Sequence, residues 1–382
     1  MVSITDVKTF IVHPGTGKNW LLVKVETDAG IHGWGESYTQ ADRDEAIEAH
    51  VHAMKRYVVG RDPFAIKHFT TVMYLDWAGK RGAMDFYCAL SGIEQALWDI
   101  TGKAAGLPVY ALLGGACRER IRLYANGPRG TSPEEYAESA RRIADAGFTA
   151  LKVAPHDPTL PVDSSATNRR AVDVVAAIRD AVGPDMAIGI DIHGRLSPAM
   201  SIGFARAVEP LDIWFLEEPV LPENAAAMAD VARATSIPIA TGERLFTKWG
   251  FREVLELRAA ALLQPDVSHC GGILEARLIA AMGEVAYAGL APHNPLSPVN
   301  GVASAHVAMA SPNFVALEWV VDNPPWTNDV LSTPLALRDG WLELSDAPGL
   351  GVELDLEVCA AHPYRPVDLP QFWHEDGSVA DW

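Results

Sequence analysis

Three acidic residues, Asp191, Glu217 and Glu243, each follow a short apolar run of the sequence, at intervals of 26 residues. Isolated carboxylates are costly to bury, so acids at the end of apolar segments need a cation or a wet surface. Carboxylate oxygens are the ligands that Mg²⁺ prefers, and three of them leave positions open for water or substrate. The spacing therefore predicts an all-oxygen Mg²⁺ site made by these three residues.

The series continues with Asp266, His293 and Glu318 at similar intervals. An imidazole that is hydrogen-bonded to a carboxylate is fixed in one tautomer and gains basicity, so Asp266 and His293 predict a general base. His193, two residues after Asp191, is expected on the same side of the strand and therefore beside the metal. A metal opposite a His–Asp pair indicates removal of a proton next to a carboxylate.

The segment "WFLEEPV" at 214–220 places Glu217 and Glu218 side by side after an apolar run. Successive residues of a strand point to opposite sides, so the two carboxylates cannot share one role. We expect Glu217 to face the metal and Glu218 to point away from it, toward a basic partner.

The elements that must position these residues are eight apolar runs, from "RLYANG" at 122–127 to "VALEWV" at 315–320. They alternate with amphipathic, helix-like stretches, one of which begins with a Ser132 cap. This alternation predicts parallel strands and a TIM-like (β/α)7β barrel, in which chemistry gathers at the carboxyl ends of the strands. A doubly wound open sheet is the alternative, but the even spacing favours closure.

The region before the barrel has a different pattern, typical of an α+β domain. Strands are predicted at 3–12 and 20–27 and in a short segment after "DAG", followed by helices near 42–57, 64–75 and 89–106. After Glu318 the chain becomes Pro-rich, and "PGLGVELD" and the tail are expected to return to this first domain. The predicted domains are a capping domain at 1–120, the barrel at 121–345 and the returning tail at 346–382.

Composition excludes several classes of protein. The 382-residue chain has a formal charge of −18, which argues against nucleic acid as a partner. It contains no run of about 18 uncharged apolar residues and no signal-peptide pattern, so we expect no membrane span and a cytoplasmic location. The four cysteines lie far apart and are predicted to be free thiols. No glycine spacing for nucleotide binding is present, and His50 and His52 are assigned to a surface helix rather than to a metal site.

Several motifs together resemble the enolase superfamily, and within it the galactonate dehydratase-like acid-sugar dehydratases of the mandelate racemase subgroup. They include "DIHGRL", "FLEEPVLPEN", "IPIATGERL", "LLQPDVSHCGGI", "APHNPLSP" and "HEDGSVADW", together with "SGIEQALWDITGKAAGLPVYALLGG" in the first domain. The resemblance runs along essentially the whole chain. It implies a barrel with a capping domain made from both chain ends, a bound Mg²⁺, an acid-sugar substrate and a homo-oligomer. It also implies that the loops "HPGTGKNW" and "YLDWAGKRGAMDF" set specificity.

Carried over by motif, the resemblance places the metal ligands on Asp191, Glu217 and Glu243, and the base on His293 with Asp266. It makes His193 the general acid of a dehydration, and Glu318 the acid that hydrogen-bonds near the substrate carboxylate.

The second strand departs from the racemases of the subgroup, which have Lys-x-Lys there. Lys152 matches the first position, but Ala154 replaces the second lysine. A two-base racemisation therefore lacks one base, and elimination to a 2-keto-3-deoxy acid is favoured. Two alternatives remain open at this point: a cycloisomerase or lactone-opening enzyme of an anhydro- or uronic-acid sugar on the same fold, and a sugar-acid sensor without catalysis.

Overall fold

The computed structural model describes residues 2–75, 83–369 and 371–380. An α+β capping domain is formed by the N-terminal region and the C-terminal tail, and a barrel lies between them. Part of the predicted specificity loop "YLDWAGKRGAMDF", at 76–82, falls outside the described residues, as do the last two residues of the tail motif. No helix among the described residues is long and apolar enough to cross a membrane.

The capping domain begins with an antiparallel sheet in the order β1 (Ile4–Val12), β2 (Trp20–Thr27) and β3 (His32–Ser37). The helices that follow are α1 (Asp44–Val58), α2 (Ile66–Leu75), α3 (Met84–Ala105) and α4 (Val109–Leu112). Helix α3 lies directly on the sheet, because a Cβ atom at Gly33 or Gly35 would come within 2.0 or 2.2 Å of its backbone oxygens. The close approach buries α3 on most of its surface, so its polar residues face neighbouring parts of the protein.

The barrel matches the predicted (β/α)7β order, with eight strands within residues 121–320, all of which are described. The strands are β4 (Ile121–Asn126), β5 (Ala150–Val153), β6 (Ala187–Asp191), β7 (Ile213–Glu217), β8 (Ile239–Thr241), β9 (Leu262–Leu263), β10 (Gly289–Leu290) and β11 (Leu317–Val320). Neighbouring strands from β4 to β10 pair in parallel, and β11 pairs with β4. A parallel bridge between Leu290 and Phe314 completes the closure.

Seven helices connect the strands within the same described range. They are α5 (Pro133–Asp145), α6 (Ser165–Val182), α7 (Pro198–Val208), α8 (Ala225–Ala234), α9 (Thr247–Glu256), α10 (Ile273–Val285) and α11 (Pro298–Met309). The predicted cap of α5 is present, since the Ser132 side chain accepts the backbone N–H of Glu135. The inside of the barrel is filled by large and small side chains in turn, and Phe215 occupies the space that a Cβ atom at Gly189 would need.

The C-terminal segment first extends the barrel and then returns to the capping domain, as the sequence predicts. Strands β12 (Ala336–Arg338) and β13 (Trp341–Glu343) form a hairpin, and β13 pairs with β4. Further on, Gly349 bridges to Pro108, and the backbone of His362 accepts the N–H of His13. Helix α12 (Leu356–Ala361) and the short strands β14 (Phe372–Trp373) and β15 (Val379–Ala380) belong to this tail. The limits 1–120, 121–345 and 346–382 remain a prediction.

Candidate active site

The six predicted strand-end residues lie around the carboxyl-terminal mouth of the barrel. Asp191 and Glu217 are the last residues of β6 and β7 and are paired across these strands, and Glu243 follows β8. Asp266 and His293 lie in the loops after β9 and β10, and Glu318 lies on β11. We call Asp191, Glu217 and Glu243 the carboxylate side of the mouth, and Asp266 and His293 the histidine side.

Lys152 on β5 lies against the carboxylate side. Its Nζ atom is 3.1 Å from Asp191 Oδ2 and 2.9 Å from Glu217 Oε1. The same atom is 3.0 Å from Glu318 Oε1. Burial alone would lower the pKa of Lys152, but the charges of these carboxylates outweigh it and raise that pKa well above its ordinary value. The ammonium group therefore remains charged and is not available as a base.

Two residues of the carboxylate side, Asp191 and Glu243, form a potential cation site together with His193. Among the described residues, one ligand atom each from Asp191, His193 and Glu243 lie within 4.8 Å of one another. Glu217 lies next to Asp191, and its other oxygen accepts a hydrogen bond of 2.6 Å from Gln264. Burial, and then the charge of Asp191, raise the pKa of Glu217 well above its ordinary value. The positive charge near Glu217 is therefore too small to stabilise the ionised carboxylate. A metal ion that prefers oxygen ligands would supply the missing charge.

Glu217 and Glu218 have different partners, as their neighbouring positions predict. Glu218 Oε2 is 2.7 Å from Arg244 Nε, and Glu218 Oε1 accepts a hydrogen bond of 3.4 Å from Thr241. The predicted basic partner of the second carboxylate is therefore Arg244. This arrangement leaves only Glu217 of the two in contact with Lys152.

His193 lies beside Asp191, but the reason given by the sequence pattern is wrong. Strand β6 ends at Asp191, and His193 lies in the turn that follows, with a φ of 56°. The turn folds back so that His193 Nε2 is 3.2 Å from Asp191 Oδ2, while the His193 N–H donates to Asp191 Oδ1. Burial lowers the pKa of His193 although the nearby carboxylates oppose this effect. An imidazolium in this place is a stronger acid than in water.

The histidine side has the geometry of an oriented base. His293 Nδ1 is 2.9 Å from Asp266 Oδ2, and His293 Nε2 is 3.3 Å from Glu243 Oε2. The Asp266 carboxylate also accepts bonds from the Ser268 N–H at 2.7 Å and from the Asn300 amide at 3.3 Å. One ring nitrogen is thus held by a fixed carboxylate, and the other faces the carboxylate side across the mouth.

Glu318 connects the two sides. Its Oε1 atom accepts a bond of 2.7 Å from the Asn126 side chain, and its Oε2 atom accepts the Asn294 N–H at 2.9 Å. Asn294 directly follows His293 in the chain. Glu318 therefore contacts Lys152 on one side and supports the loop of His293 on the other.

A cavity of about 920 Å³ opens at the mouth of the barrel, and residues of the capping domain form part of its lining. Lys18 and Tyr38 line it together with Asp191, His193 and His293. The Lys18 ammonium donates a hydrogen bond to the Tyr38 hydroxyl. Sequence reasoning identified the loop "HPGTGKNW" but not Lys18 within it, because a lone lysine in a Gly-rich loop carries no spacing signal.

The two histidines of the first domain, Ala154 and the cysteines behave as the sequence predicts. His50 and His52 lie on α1, outside the barrel. Ala154 lines the cavity without offering a polar group. All four cysteines are free thiols, of which only Cys117 is exposed. His269 lies in the loop after β9, where it is buried beside the histidine side.

One group of enzymes combines a closed (β/α)7β barrel and a capping domain with carboxylates that lie opposite a His–Asp pair. Residues 9–114 match the mandelate racemase / muconate lactonizing enzyme N-terminal domain, and residues 135–358 match the enolase C-terminal domain-like family. The chain belongs to the mandelate racemase / muconate lactonizing enzyme family of the enolase superfamily.

Similar proteins cover the whole chain. D-galactonate dehydratases of Variovorax paradoxus and Cronobacter sakazakii are 37% and 38% identical to it, with 100% of both chains covered in each case. The mandelate racemase/muconate lactonizing enzyme-like protein from Roseovarius sp. TM1035 is 35% identical, with 99% of both chains covered and a TM-score of 0.91. The mandelate racemase/muconate lactonizing enzyme from Sulfitobacter sp. is 34% identical over 100% of both chains, also with a TM-score of 0.91.

Proposed function

We propose that the protein is a Mg²⁺-dependent dehydratase of an acid sugar, a hexonate or a similar polyhydroxy acid. It removes the proton from C2 of the substrate and expels the 3-hydroxyl group as water, which yields a 2-keto-3-deoxy acid. The observation that carries this proposal is the position of one His–Asp pair and one separate histidine on opposite sides of the same carboxylate-lined cavity.

The class of reaction follows from the relatives. The chain is an enzyme of the hydro-lyase type, since proteins that match it over the full length of both chains are named D-galactonate dehydratase. Galactonate itself, as the substrate of this chain, is part of the proposal.

Asp191, Glu217 and Glu243 would hold the Mg²⁺ ion. When bound, Mg²⁺ supplies a fixed positive charge for the carboxylate of the substrate, where negative charge develops as the C2 proton leaves. Lys152 keeps Asp191 and Glu217 close together through its ammonium group and offsets part of their repulsion. Glu318 orients this lysine from the other side.

His293 is the proposed base. Asp266 accepts the Nδ1–H of the imidazole, so the lone pair for the substrate is on Nε2. Nε2 points toward the carboxylate side, where the acid group of the substrate would be bound. The C2–H bond breaks, its proton goes to Nε2, and the electron pair moves into the C2–C1 bond.

His193 is the proposed acid. It gives its proton to the 3-hydroxyl oxygen, the C3–O bond breaks, and water leaves. The resulting enol takes up a proton at C3 and becomes the 2-keto-3-deoxy acid, so the overall change is the loss of one water molecule. His193 Nε2 lies 3.2 Å from Asp191 Oδ2, so the ring is within reach of a substrate bound at the carboxylate side.

A single base favours elimination over racemisation. Lys152 is surrounded by three carboxylates and remains protonated, and Ala154 offers no proton acceptor on the same wall. The cycloisomerase or lactone-opening reaction would use the same first step, but its leaving carboxylate needs less help from an acid. The presence of His193 beside the carboxylate side therefore favours dehydration.

The proposal is tested by incubating the purified protein and Mg²⁺ with a panel of sugar acids, using semicarbazide to detect 2-keto acids. A 2-keto-3-deoxy product from at least one hexonate is expected, and its loss on addition of EDTA. Isomerised or ring-opened product without a 2-keto group would support the alternative reaction. Binding of sugar acids without any product would support the sensor.

We also propose that the chain forms a homo-oligomer, as the resemblance to the enolase superfamily implied. Tyr287 and Val285 at the amino-terminal end of the barrel are 97% and 84% exposed, so apolar surface is available for contact between copies. Light scattering at micromolar concentration should give a mass above that of one chain. A single-chain mass would contradict the assembly but leave the proposed reaction intact.

A further inference from the structure

A second group of potential metal ligands lies on the histidine side. Among the described residues, one ligand atom each from Asp266, His269 and His293 lie within 4.8 Å of one another. All three side chains are buried, with 0%, 1% and 6% of their surface exposed. The group differs in chemistry from the carboxylate side, because it offers two imidazoles and one carboxylate.

His269 is the unusual member of this group. Neither of its ring nitrogens has a hydrogen-bond partner within the described part of the chain. Leaving a buried polar atom without a partner costs about 1–3 kcal/mol. The ring itself is well fixed, since it packs edge-on against Tyr38 with 4.9 Å between centroids and against Phe246 with 5.3 Å. A rigid, buried imidazole with unused nitrogens is the kind of side chain that a metal ion would satisfy.

The donors of the group also suit a metal ion. A metal ligand must offer a free lone pair, and the unpartnered ring nitrogens of His269 can provide one. The Asp266 carboxylate, whose ligand atom lies within 4.8 Å of that of His269, supplies the negative charge.

We propose that Asp266, His269 and His293 form a second cation site, selective for Zn²⁺ or a similar nitrogen-preferring transition metal. Zn²⁺ takes imidazole nitrogen and carboxylate oxygen in tetrahedral sites, and three protein ligands leave one position open. Mg²⁺ instead prefers oxygen donors in octahedral geometry. The side with three carboxylates is thus the better Mg²⁺ site, and the group with two imidazoles is the better Zn²⁺ site.

A metal in this site would act as an inhibitor, and this consequence rests on the proposed function. Zn²⁺ shared by His293 and Asp266 would replace the Nδ1 proton that links them, and this proton would pass to solvent. The pair that forms the base would then no longer exist. Exchange of the substrate C2 proton with D₂O would stop. Binding of the metal itself does not depend on which reaction the enzyme carries out.

The test measures Zn²⁺ binding by equilibrium dialysis in excess Mg²⁺. A Cys117→Ser background removes the exposed thiol, which would bind Zn²⁺ by itself. In this background we compare His269→Gln with His52→Gln, which removes a histidine from α1 outside the barrel. His269→Gln should lose one equivalent of Zn²⁺ per chain, or bind it at least about tenfold more weakly. His52→Gln should keep the equivalent that His269→Gln loses.

The visible absorption of bound Co²⁺ reports which kinds of atom bind the metal. The protein with His269 should show visible absorption bands of Co²⁺ bound to nitrogen, and His269→Gln should lack them. His269→Phe, which fits the aromatic surroundings, replaces His269→Gln if that variant does not give a native circular dichroism spectrum. Equal Zn²⁺ binding with and without His269 would overturn the site. So would Zn²⁺ binding that is lost in Glu217→Gln but kept in His269→Gln, because the metal would then bind on the carboxylate side.

Discussion

The two sides of the barrel mouth are held in place by different parts of the chain. The carboxylate side is organised within the barrel: Asp191 and Glu217 are paired strand ends, and Lys152 and Gln264 come from other barrel elements. The histidine side depends on the capping domain, which contacts both of its loops. The metal ligands are thus positioned mainly by barrel elements, whereas the base is also held by the capping domain.

The loop that carries Asp266 is attached to α3. The Glu94 carboxylate accepts the N–H groups of Ile273 and Leu274 at 2.7 and 3.0 Å, so a side chain of the capping domain caps barrel helix α10. Gln95 donates to the backbone oxygen of Val267 at 3.2 Å. These contacts fix the middle of the loop between β9 and α10 and the start of α10.

The loop that carries His293 is attached to β3 in a similar way. Glu36 accepts hydrogen bonds from the Ser297 N–H at 3.2 Å and from the Asn300 N–H at 2.9 Å, at the beginning of α11. The Asn300 side chain in turn donates to Asp266. One carboxylate of the capping domain thus supports both members of the His–Asp pair.

The largest expected effect is the loss of metal binding from the carboxylate side. Glu217→Gln keeps a contact for Gln264 but removes a charge, so Mg²⁺ should bind far more weakly in calorimetry. Turnover should fall by about 10³-fold or more, since metal stabilisation of the transition state amounts to several kcal/mol. Glu138→Gln, on the exposed face of α5, is the matched control and should leave both quantities unchanged. Full activity of Glu217→Gln in EDTA-treated protein would contradict the site.

Replacing each of the two histidines by asparagine should separate their roles in the reaction. His293→Asn should abolish exchange of the C2 proton with D₂O, while His193→Asn should block dehydration but keep exchange. Each loss should be about 10²–10⁴-fold, the usual contribution of a general acid or base. Both rates are measured on the same substrate by NMR. Dehydration by His193→Asn at the wild-type rate would remove its role as the acid and favour the cycloisomerase reaction.

The carboxylate side could be predicted from the sequence because each of its residues lies at the end of a strand or within two residues of that end. Asp191 and Glu217 are themselves strand ends, so alternation and spacing define their positions. Asp266 and His293 were also found by spacing, although β9 and β10 have only two residues each. The turn at His193 was not predicted, since its positive φ has no signal in a pattern based on strands.

The contacts of the capping domain could not be predicted. Glu94 and Ile273 are 179 residues apart in the chain, and Glu36 and Ser297 are 261 residues apart. In the sequence, Glu36 and Glu94 look like ordinary acids of a strand and a helix. Only the packing of α3 and β3 against the barrel makes them caps of distant helices.

The dependence of the histidine side on Glu94 can be measured as stability. Burial raises the pKa of Glu94 to about 7, against an ordinary value of 4.5. The pKa of Glu94 is higher in the folded protein than in the unfolded chain. The contribution of Glu94 to the free energy of unfolding is therefore fully present below pH 4.5 and is lost as the pH rises to about 7. Over this window the contribution amounts to about 3 kcal/mol. Glu94→Gln does not titrate, so its unfolding free energy should lack this decline.

Urea unfolding of wild type and Glu94→Gln between pH 4.5 and 8 tests this prediction. The difference in unfolding free energy between wild type and Glu94→Gln should change by about 3 kcal/mol across this pH window. The affinity for Mg²⁺ should be unaffected, because the carboxylate side lies within the barrel. Parallel pH profiles would show that Glu94 does not titrate there. Weaker Mg²⁺ binding in the variant would show that the capping domain also supports the carboxylate side.

The smallest expected effect concerns Lys18, the cation that the capping loop brings into the cavity. Burial lowers the pKa of Lys18, while the charges of Glu243 and Asp266 oppose this effect. Its Nζ atom is 4.5 Å from the centre of the Tyr38 ring.

We expect the Lys18 ammonium to bind an oxygen of the substrate in the ground state and in the transition state alike. A hydrogen bond to a charged group is worth about 1.5 kcal/mol. Lys18→Met should therefore raise KM roughly tenfold and leave kcat nearly unchanged. The matched control is Lys8→Met, which removes an exposed lysine of β1 that pairs with Glu26 and should have no effect on either constant. A fall in kcat without a change in KM would instead assign Lys18 to the chemistry of the histidine side, and the capping domain would then contribute a reacting group as well as support.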